Sequence, residues 1–336
     1  MRRHILGATF LAVSVAAFGV GASAQQINAR LGHCTSNADS VHQSALLTKA
    51  AFERLSNGRL TLTIFGQCQL GNLASMLSQT QLGTQDLWPT PPAFAIGTNR
   101  NFSVPDAPGL FDDIEHASRA LQNPMFRDKF VNIAKDKGLM IVSVWVHSGT
   151  SYASLSPIRK IDDFKGKKIR VLATKVETDL MSRLGATGVP VDFAELLPAL
   201  QQKTVDAARS SIVVMGGLKY FTVTKSITVV NDAFIPLVMF VSASFYNKLP
   251  ADLQKVVQDA GREVERQMPP ISVKLNQDYE KIWRDNGAEV IRLSAADQAE
   301  VTRRAAPVGD EVIGANPETK ELYAILKQSA AATRKK

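Results

Sequence analysis

Strand-like and helix-like segments alternate along most of this chain, and no other feature constrains its fold as much. Ile27–His33 reads as a strand. Ser40–Leu55 reads as a helix, with Val41, Ala45, Leu46 and Phe52 near helical spacing. Asn57-Gly58 ends that helix and turns the chain into a second strand, Arg59–Phe65. A helix near Leu73–Leu82 follows, closed by Gly83, and Asp86-Leu87-Trp88 opens a third strand. Such alternation implies a mostly parallel sheet with right-handed crossovers. Ligands on such sheets sit at the carboxyl ends of the strands. The polar segment His33–Asp39 takes that place after the first strand.

Further on, Asp112–Gly138 reads as two helices divided near Asn123-Pro124. Leu139–Val146 is a near-continuous apolar run, as for a strand buried on both faces. His147-Ser148-Gly149-Thr150 reads as a crossover between lobes. The alternation then resumes: strand Lys168–Leu172, helix about Thr174–Leu184, short helix Phe193–Gln202, strand Val205–Ser210. Ile227–Val230 and Leu237–Ser242 read as strand returning toward the first lobe. A long helix opens at Leu249-Pro250 and runs to about Arg284, with an interruption expected at Pro269-Pro270. Ala288–Leu293 is a last strand, followed by helices near Ala295–Glu311 and Pro317–Gln328.

The first 24 residues read as a cleaved secretory signal: Arg2-Arg3, an apolar stretch Ile5–Val20, and Ala22-Ser23-Ala24 as the cleavage site. The remaining 312 of 336 residues suffice for two lobes, each with its own core. The formal charge is +8, and loss of Arg2 and Arg3 makes it +6. The basic residues are scattered, with no basic-aromatic stripe, so no nucleic-acid partner is expected. A mild positive field attracting anionic solutes uses the same charge better. Cys34 and Cys68 each follow a predicted strand. If those strands are parallel neighbours, their carboxyl ends lie side by side and a bridge is reachable. It would close about 35 residues and stabilise by roughly 3–4 kcal/mol on the chain-entropy model. Two free thiols fit the sequence equally well.

No chemistry-bearing motif points to an enzyme. There is no G-x-S-x-G elbow, H-E-x-x-H, P-loop or Rossmann glycine fingerprint. The five histidines lack metal-ligand spacing, and no cofactor is implied.

Several short pieces instead fall in one order. They are Asn57-Gly58-Arg59, Gln69-Leu70-Gly71, Gln81-Leu82-Gly83, Leu110-Phe111-Asp112 with His116-Ala117, and Lys165-Gly166 before the strand carrying Arg170. Gly185-Ala186, Val189-Pro190-Val191, Phe193-Ala194-Glu195, Ala199–Gln202, Val205-Asp206 and Leu249–Gln254 follow. This order resembles the solute-binding subunit of TRAP transporters, the DctP-like periplasmic proteins, over nearly the whole mature chain. The resemblance implies a periplasmic binding-protein fold of two α/β lobes with a ligand cleft between them and a long lobe-spanning helix. Lobe I would be 25–147 with about 236–275, and lobe II 148–235 with about 276–329. Residues 330–336 would be a tail. It also implies a periplasmic binder of an organic anion, a carboxylate, that delivers its solute to small and large integral membrane subunits. A sensor module feeding a membrane receptor shares the fold and stays open. A periplasmic enzyme is the remaining alternative.

In that family the strand arginine binds the solute carboxylate, which assigns the role to Arg170. A guanidinium offers a planar fork of donors and keeps its charge. Phe193 lies where the family sets an aromatic ring against the ligand. Other positions depart from the pattern. Thr150 stands where a second ligand arginine is usual, and Ser210 where an asparagine is usual. Arg209 replaces an acid, either as a second anion partner or, on the other face of the strand, pointing outward; outward is preferred. Trp88 and its neighbouring prolines replace small polar residues, with Trp88 placed either against an apolar ligand body or in the core. His33 and His147 flank the presumed cleft, either to add a hydrogen bond to the ligand or as ordinary polar loop histidines; the second is preferred. The ligand is therefore expected to carry one carboxylate, held by Arg170, on a body more apolar than a sugar acid.

Overall fold

The structure, a computed structural model, describes residues 26–335; the signal segment lies outside them. β1 (Ile27–Gly32) and β2 (Leu60–Phe65) run parallel on either side of α1 (Ser40–Leu55) in sequence. Asp39 caps α1, its Oδ1 accepting from the Val41 N–H at 2.8 Å. α2 (Leu73–Leu82) ends at Gly83, whose φ of 79° suits the left-handed cap. β3 (Leu87–Thr90) then enters beside β1. Two 3-10 segments, Pro92–Ala95 and Arg100–Asp106, lead to α3 (Ile114–Gln122) and α4 (Pro124–Phe130). Asn123 caps α4, and Pro124 sits in its first turn as expected.

β4 (Leu139–Ser154) is followed by β5 (Lys168–Val171), α5 (Lys175–Arg183), β6 (Thr187–Pro190), α6 (Leu196–Gln201), β7 (Ala207–Ser211) and α7 (Ile212–Gly217). β8 (Ser226–Ser242), α8 (Ala243–Lys248), α9 (Ala251–Asp285), β9 (Glu289–Arg292), α10 (Ala295–Val308) and α11 (Lys320–Thr333) complete the order. The strands form one sheet, β2-β1-β3-β8-β4-β7-β5-β6, with β9 beside β8. β1–β2, β1–β3, β5–β6, β5–β7 and β8–β9 are parallel; β3–β8, β4–β8 and β4–β7 are antiparallel.

Two expectations about continuity are corrected. β4 does not stop at Val146: it continues through His147–Thr150 as one strand of 16 residues, all buried. β8 pairs with it in both halves, and register shifts at Val146/Ser148 and Gly149/Ser151 absorb the bend between them. Gly149 is needed there, because a Cβ would sit 1.9 Å from Asn231 Oδ1. Nor does α9 break at Pro269-Pro270; it runs unbroken for 35 residues. Pro269 leaves the Glu265 carbonyl without its helical donor. Gln122 Nε2 of α3 donates to that carbonyl at 2.9 Å and makes good the loss.

The core lies on both faces of the sheet in each half. In the first half, Phe52, Trp145, Met239 and Leu253 pack under α1 and α9, while Phe102, Phe126 and Phe240 pack with α3 and α4 on the other face. In the second half, Leu200, Met215 and Trp283 form one cluster and Ile169, Leu180 and Val301 another. α11 differs from the sequence expectation for 276–329. Its Leu322, Tyr323, Leu326 and Ala330 join the first-half core against α3 and α4, reached through a π-helical segment Gly309–Gly314. Ser329 Oγ seals the contact by donating to the Ala120 carbonyl at 2.6 Å.

Candidate functional site

The carboxyl ends of β1, β3, β5 and β7 converge on one cavity between the halves. Its empty volume is about 890 Å³, including open solvent at its mouth. Cys34 and Thr35 follow β1, Thr90 and Pro91 end and follow β3, Leu172 follows β5, and Ser210 and Ser211 end β7. The wall is mostly apolar, with Leu73, Phe94, Val214, Phe234, Ile235 and Leu237.

Arg170 lines this cavity from β5 and is 2% exposed. Its Nε donates to the Val191 carbonyl at 3.0 Å, which aims the guanidinium. Among the described residues its Nη groups make no hydrogen bond, and no carboxylate lies within 4.0 Å. Burial pushes this guanidinium down from its ordinary range, and Glu177, Tyr220 and Asp192 draw it back. Among the described residues this buried guanidinium therefore has no salt-bridge partner, although Glu177 and Asp192 lie in its field.

Arg209, preferred as pointing outward, is instead buried in the cavity wall, 6% exposed. Its Nη1 meets Glu177 Oε1 at 2.8 Å and its Nη2 meets Asp232 Oδ1 at 2.5 Å. Burial opposes its charge, but Asp232 and Glu177 overcome that and hold it well above the ordinary range. The reason for the inward turn is the neighbouring strands: both faces of β7 are covered, and two acids wait on one of them. Arg209 is thus already neutralised, unlike Arg170.

The remaining sequence candidates separate. Phe193 lines the cavity, half-buried, and packs against the first-half core. Ser210 lines it too, with no side-chain hydrogen bond among the described residues. The Thr150 hydroxyl reaches the cavity, but it lies 3.0 Å from Asp232 Oδ1 and accepts from the Ala233 N–H at 3.2 Å. It therefore steadies Asp232. His147 lines the cavity, fully buried, its Nδ1 bonded to Ser40 Oγ; burial pushes it down and Asp39 pulls it up.

Two candidates lie outside the cavity. Trp88 is fully buried in the first-half core, stacked on Phe240 at 5.7 Å between centroids, and does not line the cavity. From this strand and the loop after it, Pro89, Thr90 and Pro91 line the cavity instead. His33 also stays out of the cavity. Its Nε2 faces His42 Nδ1 at 3.0 Å, and burial with His42 nearby lowers it to about 4. Its neighbour Cys34 is bridged to Cys68, with Cα atoms 4.2 Å apart, so the free-thiol alternative falls.

Sequence reasoning missed Glu177, Asp232 and Asp106. Glu177 was disguised as a helix start: Thr174-Lys175-Val176-Glu177 has capping-box spacing, and Thr174 does accept from the Glu177 N–H. Its carboxylate, however, accepts from the Leu172 N–H at 2.7 Å and pairs with Arg209. Asp232 was visible as a lone acid between two apolar runs. Asp106 carried no signal.

The chain matches the family model for bacterial extracellular solute-binding proteins, family 7 (DctP), over residues 31–315. It is 27% identical over 290 residues to the 2,3-diketo-L-gulonate-binding periplasmic protein YiaO of Escherichia coli, covering 86% of this chain and 88% of that protein. It is 27% identical over 315 residues to the C4-dicarboxylate-binding periplasmic protein DctP of Rhodobacter capsulatus, covering 93% and 94%. A TRAP periplasmic solute-binding protein of Desulfovibrio salexigens with bound orotic acid superposes with a TM-score of 0.85 at 25% identity, covering 91% and 99%. With the family model spanning most of the chain and both lobes reproduced, the chain belongs to the DctP family of extracellular solute-binding proteins.

Proposed function

We propose that this protein captures a monocarboxylate with an apolar body and hands it to the membrane subunits of a TRAP-type transporter. One observation carries the reading: of the two guanidiniums in the cavity, Arg209 is neutralised by two acids and Arg170 by none. A single unpaired fork in a wall of Leu, Phe, Val and Pro fits one carboxylate on an apolar frame. The signal read at residues 1–24 would export the chain to the periplasm. Lobe I is assigned as 25–147 with about 236–275 and α11, and lobe II as 148–235 with the end of α9, β9 and α10.

The test is calorimetry of the purified protein against branched and aromatic monocarboxylates, dicarboxylates and sugar acids, with mass spectrometry of any co-purified solute. Monocarboxylates should bind and should raise the melting temperature. Arg170→Ala should remove that rise while leaving the unliganded fold intact. An undiminished rise in Arg170→Ala, or binding of sugar acids alone, overturns the reading.

A further inference from the structure

One carboxyl group in the cavity has no hydrogen-bond or ion-pair partner among the described residues. Asp106 ends the 3-10 segment Arg100–Asp106 of the first half and lines the cavity. Asp106 keeps some exposure as a residue, but its Oδ2 is shut off from solvent and accepts no hydrogen bond. It lies in the field of Glu177 and Arg209, which come from the second half. Asp106 and Arg170 line the same cavity, and Glu177 acts on both.

The charges in that cavity decide the state of Asp106. Arg170 and Arg209 bring two positive charges, and Glu177 and Asp232 bring two negative ones committed to Arg209. An anion on Arg170 adds a third negative charge. An ionised Asp106 would add a fourth, with one oxygen cut off from water and no donor to it. A neutral Asp106 removes that conflict and becomes a donor. The other charged groups near its segment are engaged elsewhere. On β8, Asp232 is held by Arg209; on α11, Lys327 meets Asp310, which also faces Tyr323; Arg100 meets Glu318 at 3.5 Å. Burial, reinforced by Glu177 and opposed by Arg209, pushes Asp106 up to about 8.

Resting on the reading of Arg170 as the anion fork, we propose that Asp106 is a ligand-contacting residue that acts as a neutral acid. It donates a hydrogen bond to an oxygen of the bound monocarboxylate, so the complex holds the anion and the Asp106 proton together. The residue joins the two walls of the cavity through the ligand, since Asp106 comes from one half and Arg170 from the other. A dianion would face the same uncompensated charge and should bind more weakly than a monoanion of equal size.

The experiment is isothermal calorimetry with 4-methylpentanoate, phenylacetate and succinate from pH 6 to 9.5, on wild type, Asp106→Asn, Asp106→Leu and Arg170→Ala. Wild-type affinity for the monocarboxylates should be flat near pH 6–7 and fall toward about tenfold per pH unit well above the Asp106 titration. Runs in buffers of different ionisation heat should show proton uptake at pH 8.5. Asp106→Asn keeps a neutral donor, so it should bind without that fall and without uptake. Asp106→Leu should bind about tenfold more weakly at pH 7. Circular dichroism melts confirm that each variant is folded; if Asp106→Leu does not fold, the Asp106→Asn profile and the uptake measurement decide. Identical pH profiles in wild type and Asp106→Asn, with no proton uptake, overturn the role of Asp106 while anion binding stands. Unchanged binding in Arg170→Ala, or no binding of any probe to wild type, overturns the anion fork and this inference with it.

Discussion

Arg209 and Arg170 lie on neighbouring strands, yet the protein uses them differently. Arg209 holds two buried acids together, so removing it strands both. Arg209→Met should cost about 3–5 kcal/mol in urea unfolding, because an uncompensated buried charge is dearer than the pair was worth; a loss under 1 kcal/mol would contradict the network. Asp106 makes the opposite prediction. Its acid is raised to about 8 in the folded protein, so folding retains a proton that the unfolded chain releases. Its contribution to stability is therefore lost progressively as pH rises from about 4 to about 8. Asp106→Asn should stabilise by on the order of 1–3 kcal/mol at pH 7 and by little at pH 4, read as a pH-dependent difference in melting temperature. At this scale the sequence was partly legible. The sequence singled out Arg170 because it stands on a strand within an ordered series of motifs, and it lines the cavity. The face on which Arg209 lies was not found, because β7 is covered on both sides and alternation then loses its meaning.

Helices and strands were legible where their periodicity is local. α1, α2 and the α3–α4 division at Asn123-Pro124 all follow from apolar spacing and caps. The failures came where a distant element rescued a local break. α9 passes through two prolines because Gln122, far away in sequence, donates to the Glu265 carbonyl, and also to the Val144 carbonyl at 3.0 Å. Gln122→Leu should cost about 1–3 kcal/mol by chemical denaturation. In a Pro269→Ala background the helix regains its own N–H, so the penalty should shrink; equal penalties in both backgrounds would sink this account. Close packing of α9 on β4 also depends on Gly261, where a Cβ would sit 2.3 Å from the Val142 carbonyl oxygen. Nothing in the helical pattern announces that contact.

Across the whole molecule, two long antiparallel strands carry the sheet from one half to the other, and the ligand cavity opens beside them. The Cys34–Cys68 bridge closes a separation of 34 residues at the cavity's edge. Replacing both cysteines by serine should lower stability by roughly 3–4 kcal/mol on the chain-entropy model, and reductant should then no longer shift the melting temperature. No described helix is long and apolar enough to cross a membrane. By itself the sequence determined the alternation of elements and the family, and it singled out an arginine that lines the cavity. These depend on spacings of two and 3.6 residues and on motif order, which are local properties of the chain. Only the tertiary structure decided that β4 crosses between halves unbroken, that α11 returns to the first half, that Trp88 and His33 lie off the cavity, and that Asp106 and Glu177 line it with Asp232 paired to Arg209. Charge balance and close packing depend on distances between residues far apart in sequence, and no local pattern encodes those distances.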